Sequence, residues 1–432
     1  MRKAMLIGLL VWAGSAALAV AAGATGSAEG FIVLQAGELL AHPGEPPVKN
    51  QTLVIQGQRI VSVHDGLLGA EAVANSAGAG IEVIDLRDRF VMPGLMDAHS
   101  HLMWSSRDLP PKKAEKMQEA DLALWTLRNA RTTLAAGFTT VREQASSPPP
   151  VFAVRDWINA GKFLGPRILA AGNPVGALGG HGDMTRAQTD PADVTASGLC
   201  SGPETCRRAV RMQHKLGSDV IKMMATGGFH DSTGTEQFFF FEEMQATVEA
   251  AHQLGMPVGT HAYAGNAVAD AVRAGVDSVD HGFGADDATL KVMKQKGIFL
   301  IPTLTVAQQP GPIREYREKY RAFERALKIG TPIAFGTDVG GVPHRYAARE
   351  FSYMVKAGMA PADALASATV NTARLFRMEQ EVSTLEPGKL ADIVAVKSSP
   401  LDDVAVLEDV DFVMKSGRVA RRDGRMLDMV LE

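Results

Sequence analysis

Val91-Met92-Pro93-Gly94-Leu95-Met96-Asp97-Ala98-His99-Ser100-His101 is an apolar run with the character of a buried strand, and it ends in two histidines one residue apart. In a strand, positions i and i+2 share a face. Two imidazoles therefore leave the strand end together, a geometry suited to gripping a metal ion, and further ligands are to be sought at the ends of other strands.

Outward from this stretch the middle of the chain alternates. Strand candidates are Phe90 to Ala98, Thr139 to Glu143, Arg167 to Ala171, Asp219 to Ala225, Pro257 to Ala262, Ser278 to Gly282, Phe299 to Leu304 and Ile333 to Asp338. Between most of them run segments with helical spacing and a glycine stop: Ala114 to Ala136 before Gly137, Pro203 to Leu216 before Gly217, Phe241 to Leu254 before Gly255, Asn266 to Ala274 before Gly275, and Asp286 to Lys296 before Gly297. Strands alternating with helices over about 250 residues give an α/β chain and predict a (β/α)8 TIM barrel, whose chemistry sits at the C-terminal ends of its strands.

Both ends of the chain read differently. Phe31 to Leu40, Gln51 to Val63, Leu390 to Val396 and Asp411 to Val419 are strand-like, and turns rich in Pro and Gly separate the first of them. The expectation is a small β-sandwich domain built from residues 25–88 and 382–432, with the barrel at 89–381. Arg2 and Lys3, an apolar run to about Val20 and a small-residue region have the layout of a signal peptide over residues 1–24, which predicts an exported, periplasmic or secreted protein. Cys200 and Cys206 are the two cysteines, and spacing leaves open a short disulfide or two free thiols. A net charge of -4 with scattered Lys and Arg argues against nucleic acid and for a small-molecule partner.

The barrel expectation places the histidines. His99 and His101 follow strand one, His261 closes strand five, His281 closes strand six and Asp338 closes strand eight, all on one face. A lone histidine at any of these positions reads as a hydrogen-bonded core residue; their coincidence reads as a metal site. Imidazole and carboxylate donors without thiolate suit zinc, and also manganese, cobalt or iron. These are more ligands than one open tetrahedral zinc needs. Lys222, inside the strand Val220-Ile221-Lys222-Met223-Met224, is costly to bury unless paired or modified. Either its amine meets a carboxylate, or it is carboxylated to a carbamate that bridges two divalent ions.

His99-Ser100-His101, Lys222, His261, His281 and Asp338, in this order, resemble the binuclear form of the metal-dependent amidohydrolase superfamily. Asn173-Pro174-Val175-Gly176-Ala177-Leu178-Gly179-Gly180-His181-Gly182 and Lys222-Met223-Met224-Ala225-Thr226-Gly227-Gly228 are similar to its imidazolonepropionase-related branch, which includes Xaa-Pro dipeptidases, N-acyl-amino-acid hydrolases and ochratoxin-degrading amidases. The resemblance implies that His99, His101 and Asp338 hold one zinc ion, His261 and His281 a second, and carboxylated Lys222 joins them. It implies attack of a metal-bridging hydroxide on the amide of an Xaa-Pro dipeptide or an N-acyl or N-aryl amino acid.

Within that reading Asp338 carries the proton and His181 is the candidate donor to the oxyanion. Tyr263, His230, His344 and Arg345 are candidates for binding substrate, each weighed against packing or a solvated loop. Phe238-Phe239-Phe240-Phe241 is either an apolar pocket wall or an anchor for the next helix. The competing readings are a mononuclear deaminase or cyclic-amide hydrolase on the same barrel, and a non-catalytic metal-binding protein. Homo-oligomers are compatible with all of these.

Overall fold

The computed structural model describes residues 30–73, 80–104, 117–183, 197–229 and 234–427; the expected leader at 1–24 and His230 lie outside them. The N-terminal part gives β1 (Phe31–Leu39), β2 (Val48–Gln56), β3 (Arg59–Asp65) and β4 (Ile81–Pro93). The middle gives β5 (Leu95–Ser100), β6 (Phe138–Glu143), β7 (Arg167–Ala170), β8 (Val175–Ala177), β9 (Leu199–Cys200), β10 (Ile221–Met224), β11 (Val258–Ala262), β12 (Ser278–His281) and β13 (Phe299–Ile301). The C-terminal part adds β14 (Ile393–Val396), β15 (Phe412–Lys415), β16 (Arg418–Arg422) and β17 (Arg425–Met426).

The expected strand Phe90 to Ala98 is divided between two sheets. β4 runs on to Pro93, past the expected limit at Asp88, and pairs with β1 and β14; β5 starts at Leu95 and pairs with β6. The break falls at Gly94, where a Cβ would lie 2.2 Å from Thr139 Oγ1. Only glycine lets the backbone pass that close.

Strands from both ends form one sheet in the order β17-β16-β15-β14-β4-β1-β2-β3. Hydrogen bonds from Ile60 N to Lys389 O (2.9 Å) and from Gly388 N to Ile60 O (2.8 Å) bring β3 back to the residues that lead into β14. Leu34, Leu53, Ile55, Ile84, Ile393, Phe412 and Met414 then share one buried cluster. Where a small β-sandwich from both chain ends was expected, strands from both ends thus share one sheet and one buried cluster.

The middle strands are all parallel, in the orders β13-β12-β11-β10-β8-β9 and β5-β6-β7. Helices α1 (Glu119–Ala135), α2 (Pro148–Asn159), α3 (Pro203–Leu216), α4 (Phe241–Gln253), α5 (Gly265–Ala274) and α6 (Asp287–Lys296) alternate with them. Gly217, Gly275 and Gly297 close α3, α5 and α6 in the left-handed conformation that the sequence predicts for a glycine stop. Leu134, Val210, Val248, Val268 and Leu290 on these helices are buried in one cluster with Phe138, Met223, Val258, Val279 and Leu300 on the strands. Each such side chain contributes about 1.5–3 kcal/mol on burial.

Residues 333–338, expected as the eighth strand, are bracketed by isolated bridges at Ile333, to Leu300, and at Val339, to Ser100. On one side Leu300 N donates to Pro332 O and Ala334 N to Leu300 O (2.9 and 3.1 Å); on the other Ala98 N donates to Phe335 O and Asp338 N to His99 O (both 2.8 Å). The segment thus joins β13 to β5. At the other edge Asp219 N donates to Ala170 O (2.9 Å), linking β7 to the approach to β10. Among the described residues no helix is long and apolar enough to cross a membrane.

Candidate metal centre

His99 and His101 lie at and just past the end of β5, and the bridge to residues 332–339 brings Asp338 beside them. His99 O accepts Asp338 N, and His101 N donates to Val339 O (2.8 Å). Asp97 tightens the junction, accepting Thr337 Oγ1 (2.6 Å) and His99 N (2.9 Å). The resulting donor set is close. His99 Nε2 is 3.2 Å from His101 Nε2 and 3.4 Å from Asp338 Oδ1, and His101 Nε2 is 3.1 Å from the same oxygen. Tetrahedral ligands at about 2.0–2.1 Å from zinc stand roughly 3.3 Å apart, so these three residues fit one ion.

A second pair closes β11 and β12. His261 Nδ1 is 3.0 Å from His281 Nε2. The outer nitrogens are held by protein: His261 Nε2 by Gly227 O (3.0 Å), and His281 Nδ1 by Thr303 Oγ1 (2.7 Å). A carbonyl only accepts, so His261 carries its proton on Nε2 and turns a lone pair toward His281. This arrangement, one nitrogen inward and the other fixed by the protein, is the one that orients histidine ligands. The His99 and His281 rings lie 5.2 Å apart, so the two pairs adjoin.

Electrostatics favour neutral imidazoles in the second pair. Burial pushes His281 down to about 3 and His261 well below its ordinary value, with the charges of Lys222 and of neighbouring histidines adding to the effect. Burial likewise lowers His101. His99 is pushed down by burial and Lys222, but the Asp280 and Asp338 carboxylates outweigh both and raise it. For Asp338, burial acts upward; His99 and His101 nevertheless hold it well below the usual carboxylate range.

Backbone conformation marks the same place. His281 (φ 66°), Thr303 (φ 46°) and Asp338 (φ 58°) are non-glycine residues in the left-handed region, after or at the ends of β12, β13 and the 332–339 segment. Each costs of order 1–3 kcal/mol and persists only where surrounding structure enforces it, a pattern that gathers at functional sites.

Lys222, on β10, is buried, and its amine ion-pairs with Asp280 of β12. This is the plainer of the two readings of a buried lysine. Burial lowers the Lys222 amine from its ordinary value, while Asp280 is held very low because Lys222, His99 and Arg142 outweigh its burial. The charge on Lys222 acts on all four imidazoles.

The other candidates divide. The His181 ring centroid is 4.5 Å from that of His261, so the glycine-rich loop does reach the second pair. A Cβ on Gly228 would stand 2.5 Å from His181 Cε1, so the ring rests against that glycine. Tyr263 stacks on His281 (4.8 Å) and belongs to a buried cluster with Phe283, Val306 and Ile313. The buried His344 places its ring between Thr133 Oγ1 and Trp104 O (both 3.1 Å), and Arg345 is exposed over the Tyr346 ring. Neither of these contacts involves the two pairs. In the phenylalanine run, Phe239 is buried, Phe240 caps α4 and is 75% exposed, and Phe238 leans on Gly180 beside His181.

Several buried charges at the site went unread in the sequence. Arg142, 1% exposed, donates from Nε to Ala98 O (2.8 Å) and from Nη2 to Ser278 Oγ (3.0 Å), and stands 3.4 Å from Asp280. It spans from β6 to β12, and so from one parallel sheet to the other. Glu143, at the end of β6, accepts from Ser146 Oγ, and burial raises its pKa to about 8. Asp97 and Asp280 complete the group. Each is a charged residue in a strand whose every residue is buried. The two cysteines, left open by spacing, are joined as a disulfide between β9 and the first turn of α3.

Residues 90–420 match the model of the Amidohydrolase family. Ochratoxinase from Aspergillus niger is 29% identical over 430 residues, covering 91% of this chain and 87% of that protein. The crystal structure of a Xaa-Pro dipeptidase with bound methionine is similar at 34% identity and a TM-score of 0.82, covering 90% of this chain and 100% of the other. A prolidase structure complexed with N-methylphosphonate-L-proline is similar at 28% identity and a TM-score of 0.80, covering 91% and 100%.

Proposed function

Because this chain belongs to the amidohydrolase family, as a hydrolase of amide C–N bonds, we propose that it cleaves the amide of an Xaa-Pro dipeptide or of an N-acyl or N-aryl amino acid, with two divalent ions. The observation that carries the two-ion reading is the pair of donor sets, His99, His101 and Asp338 on one side and His261 Nδ1 with His281 Nε2 on the other. The substrate class is supported by similarity to an ochratoxinase and to two structures of proline-directed dipeptidases.

In this reading His99, His101 and Asp338 would hold one ion and His261 and His281 the other, and Lys222, carboxylated to its carbamate, would add to the ligand set. Zinc suits these nitrogen and oxygen donors. Bound there, divalent cations lower the pKa of water and polarise a carbonyl. Asp338 starts ionised, takes a proton from the attacking water at its carboxylate and delivers it to the departing nitrogen. His181 donates a ring N–H to the carbonyl oxygen as negative charge develops there. Tyr263 keeps the His281 ring in place by stacking.

The Lys222–Asp280 ion pair favours a second reading, a mononuclear site at His99, His101 and Asp338, as in a deaminase or cyclic-amide hydrolase. Metal content distinguishes the two, at about two ions per chain against one. The substrate experiment compares rates on Xaa-Pro dipeptides, other dipeptides and N-aroyl amino acids with zinc supplied. Hydrolysis confined to amides next to a carboxylate-bearing residue is expected; a metal-loaded protein that cleaves none of them defeats the proposal.

Two structural readings accompany it. The parallel strands close into a (β/α)8 barrel, a reading supported by the hydrogen bonds of residues 332–339 to both β13 and β5 and by Arg142 reaching from β6 to β12. Export to an oxidising compartment is supported by the basic and apolar start of the chain and by the Cys200–Cys206 bond.

A further inference from the structure

Thr303 follows β13, and the next residues, Leu304–Ala307, make a single short helical turn. Thr303 is fully buried, has a left-handed backbone and sets Oγ1 2.7 Å from His281 Nδ1. A β-branched residue leaves that backbone region unless something holds it there. The holder is a carboxylate. Glu350 Oε1 accepts Leu304 N (2.8 Å), and Oε2 accepts Thr305 N (2.6 Å) and Thr305 Oγ1 (2.7 Å). Glu350 is 0% exposed and belongs to the helix Arg349–Lys356, on the chain that leaves Asp338.

We infer that Glu350 is a positioning residue for His281, holding residues 303–305 in the conformation that presents Thr303 Oγ1 to the imidazole. This rests on the reading of His261 and His281 as ligands of a second ion. A histidine ligand keeps its aim only if its other nitrogen is held. Thr303 holds it, and Glu350 holds the two residues that follow Thr303. Both carboxylate oxygens face donors, so a neutral amide cannot replace the group: one end of a Gln side chain would set N–H against N–H. Because Glu350 rides on the segment after Asp338, the same contact ties the support of the second pair to the chain carrying the first.

The test uses the zinc-loaded full chain, its metal content and the time course of zinc loss to a chelator, with melting temperature as a check on folding. Wild type is expected to hold two ions and release them in two phases. In Glu350→Gln one phase should accelerate by about 10–100-fold, the range for losing an outer-shell partner of a ligand, while the other keeps its rate. Thr303→Ser, which retains the hydroxyl, should stay near wild type, and Thr303→Val should reproduce the Glu350→Gln change. Should Glu350→Gln fail to fold, Thr305→Val removes one of the three donors and is expected to accelerate the same phase more weakly. Unchanged zinc loss in folded Glu350→Gln, or in Thr305→Val where that variant replaces it, overturns the inference, as does equal acceleration of both phases. A wild type that holds one ion overturns instead the two-ion reading beneath it.

Discussion

His101 Nε2 stands 3.1 Å from Asp338 Oδ1, and His99 Nε2 stands 3.4 Å from the same oxygen. One carboxylate oxygen thus faces two imidazoles, which hold Asp338 ionised despite its burial. Asp338→Asn keeps the shape and removes the proposed proton acceptor. We expect unchanged folding by circular dichroism and a fall in turnover of about 10²–10⁴-fold, the usual worth of a general acid–base group. An unchanged rate removes Asp338 from proton transfer.

Lys222 and Asp280 supply the next prediction, because their ion pair and a carbamate are exclusive states of one amine. Lys222→Ala is expected to lose activity and about one ion per chain together, with partial rescue by acetate or propionate. Zinc-loaded wild type supplied with ¹³C-bicarbonate should show a carbamate carbon signal that Lys222→Ala lacks. Full activity without added carboxylate defeats the carbamate.

What could be read in the sequence was local. The i, i+2 spacing of His99 and His101 and the glycines closing α3, α5 and α6 are properties of short stretches, and each of them fixes a direction or an end. What could not be read depends on register between distant strands. Asp280 sits beside His281 in sequence, yet its role follows from facing Lys222 and Arg142, which arrive on β10 and β6. The break at Gly94 hides inside a continuous apolar run, because it is set by the approach of Thr139. α2 begins with Pro148, Pro149 and Pro150, which look like a helix breaker but occupy a first turn whose N–H groups have no helical partner.

His181 and Gly228 give a test that leaves every proposed ligand untouched. A Cβ at position 228 would lie 2.5 Å from His181 Cε1 and 2.6 Å from Nδ1, so Gly228→Ala must displace the ring. If His181 stabilises the oxyanion, Gly228→Ala and His181→Ala should lower turnover similarly, by about 10²–10³-fold, with zinc content unchanged. A Gly228→Ala enzyme with wild-type turnover dissociates His181 from the reaction.

Glu143 predicts a pH dependence of stability. Its pKa is raised by burial from 4.5 to about 8 in the folded chain, so between those values the unfolded chain has lost a proton that the folded chain keeps. The sign follows from proton counting: stability from this group is fully present below about 4.5, falls as pH rises, and is gone above about 8. The slope in that window is at most roughly 1.4 kcal/mol per pH unit. Glu143→Gln retains an uncharged side chain of similar shape and cannot ionise. The difference in unfolding free energy between the variant and wild type, from urea titrations at several pH values, should therefore move in favour of the variant from pH 5 to pH 8 and level off above. A difference that stays constant across that range means that Glu143 is already ionised in the folded chain, and that its unpartnered Oε2 has found a donor which offsets its burial.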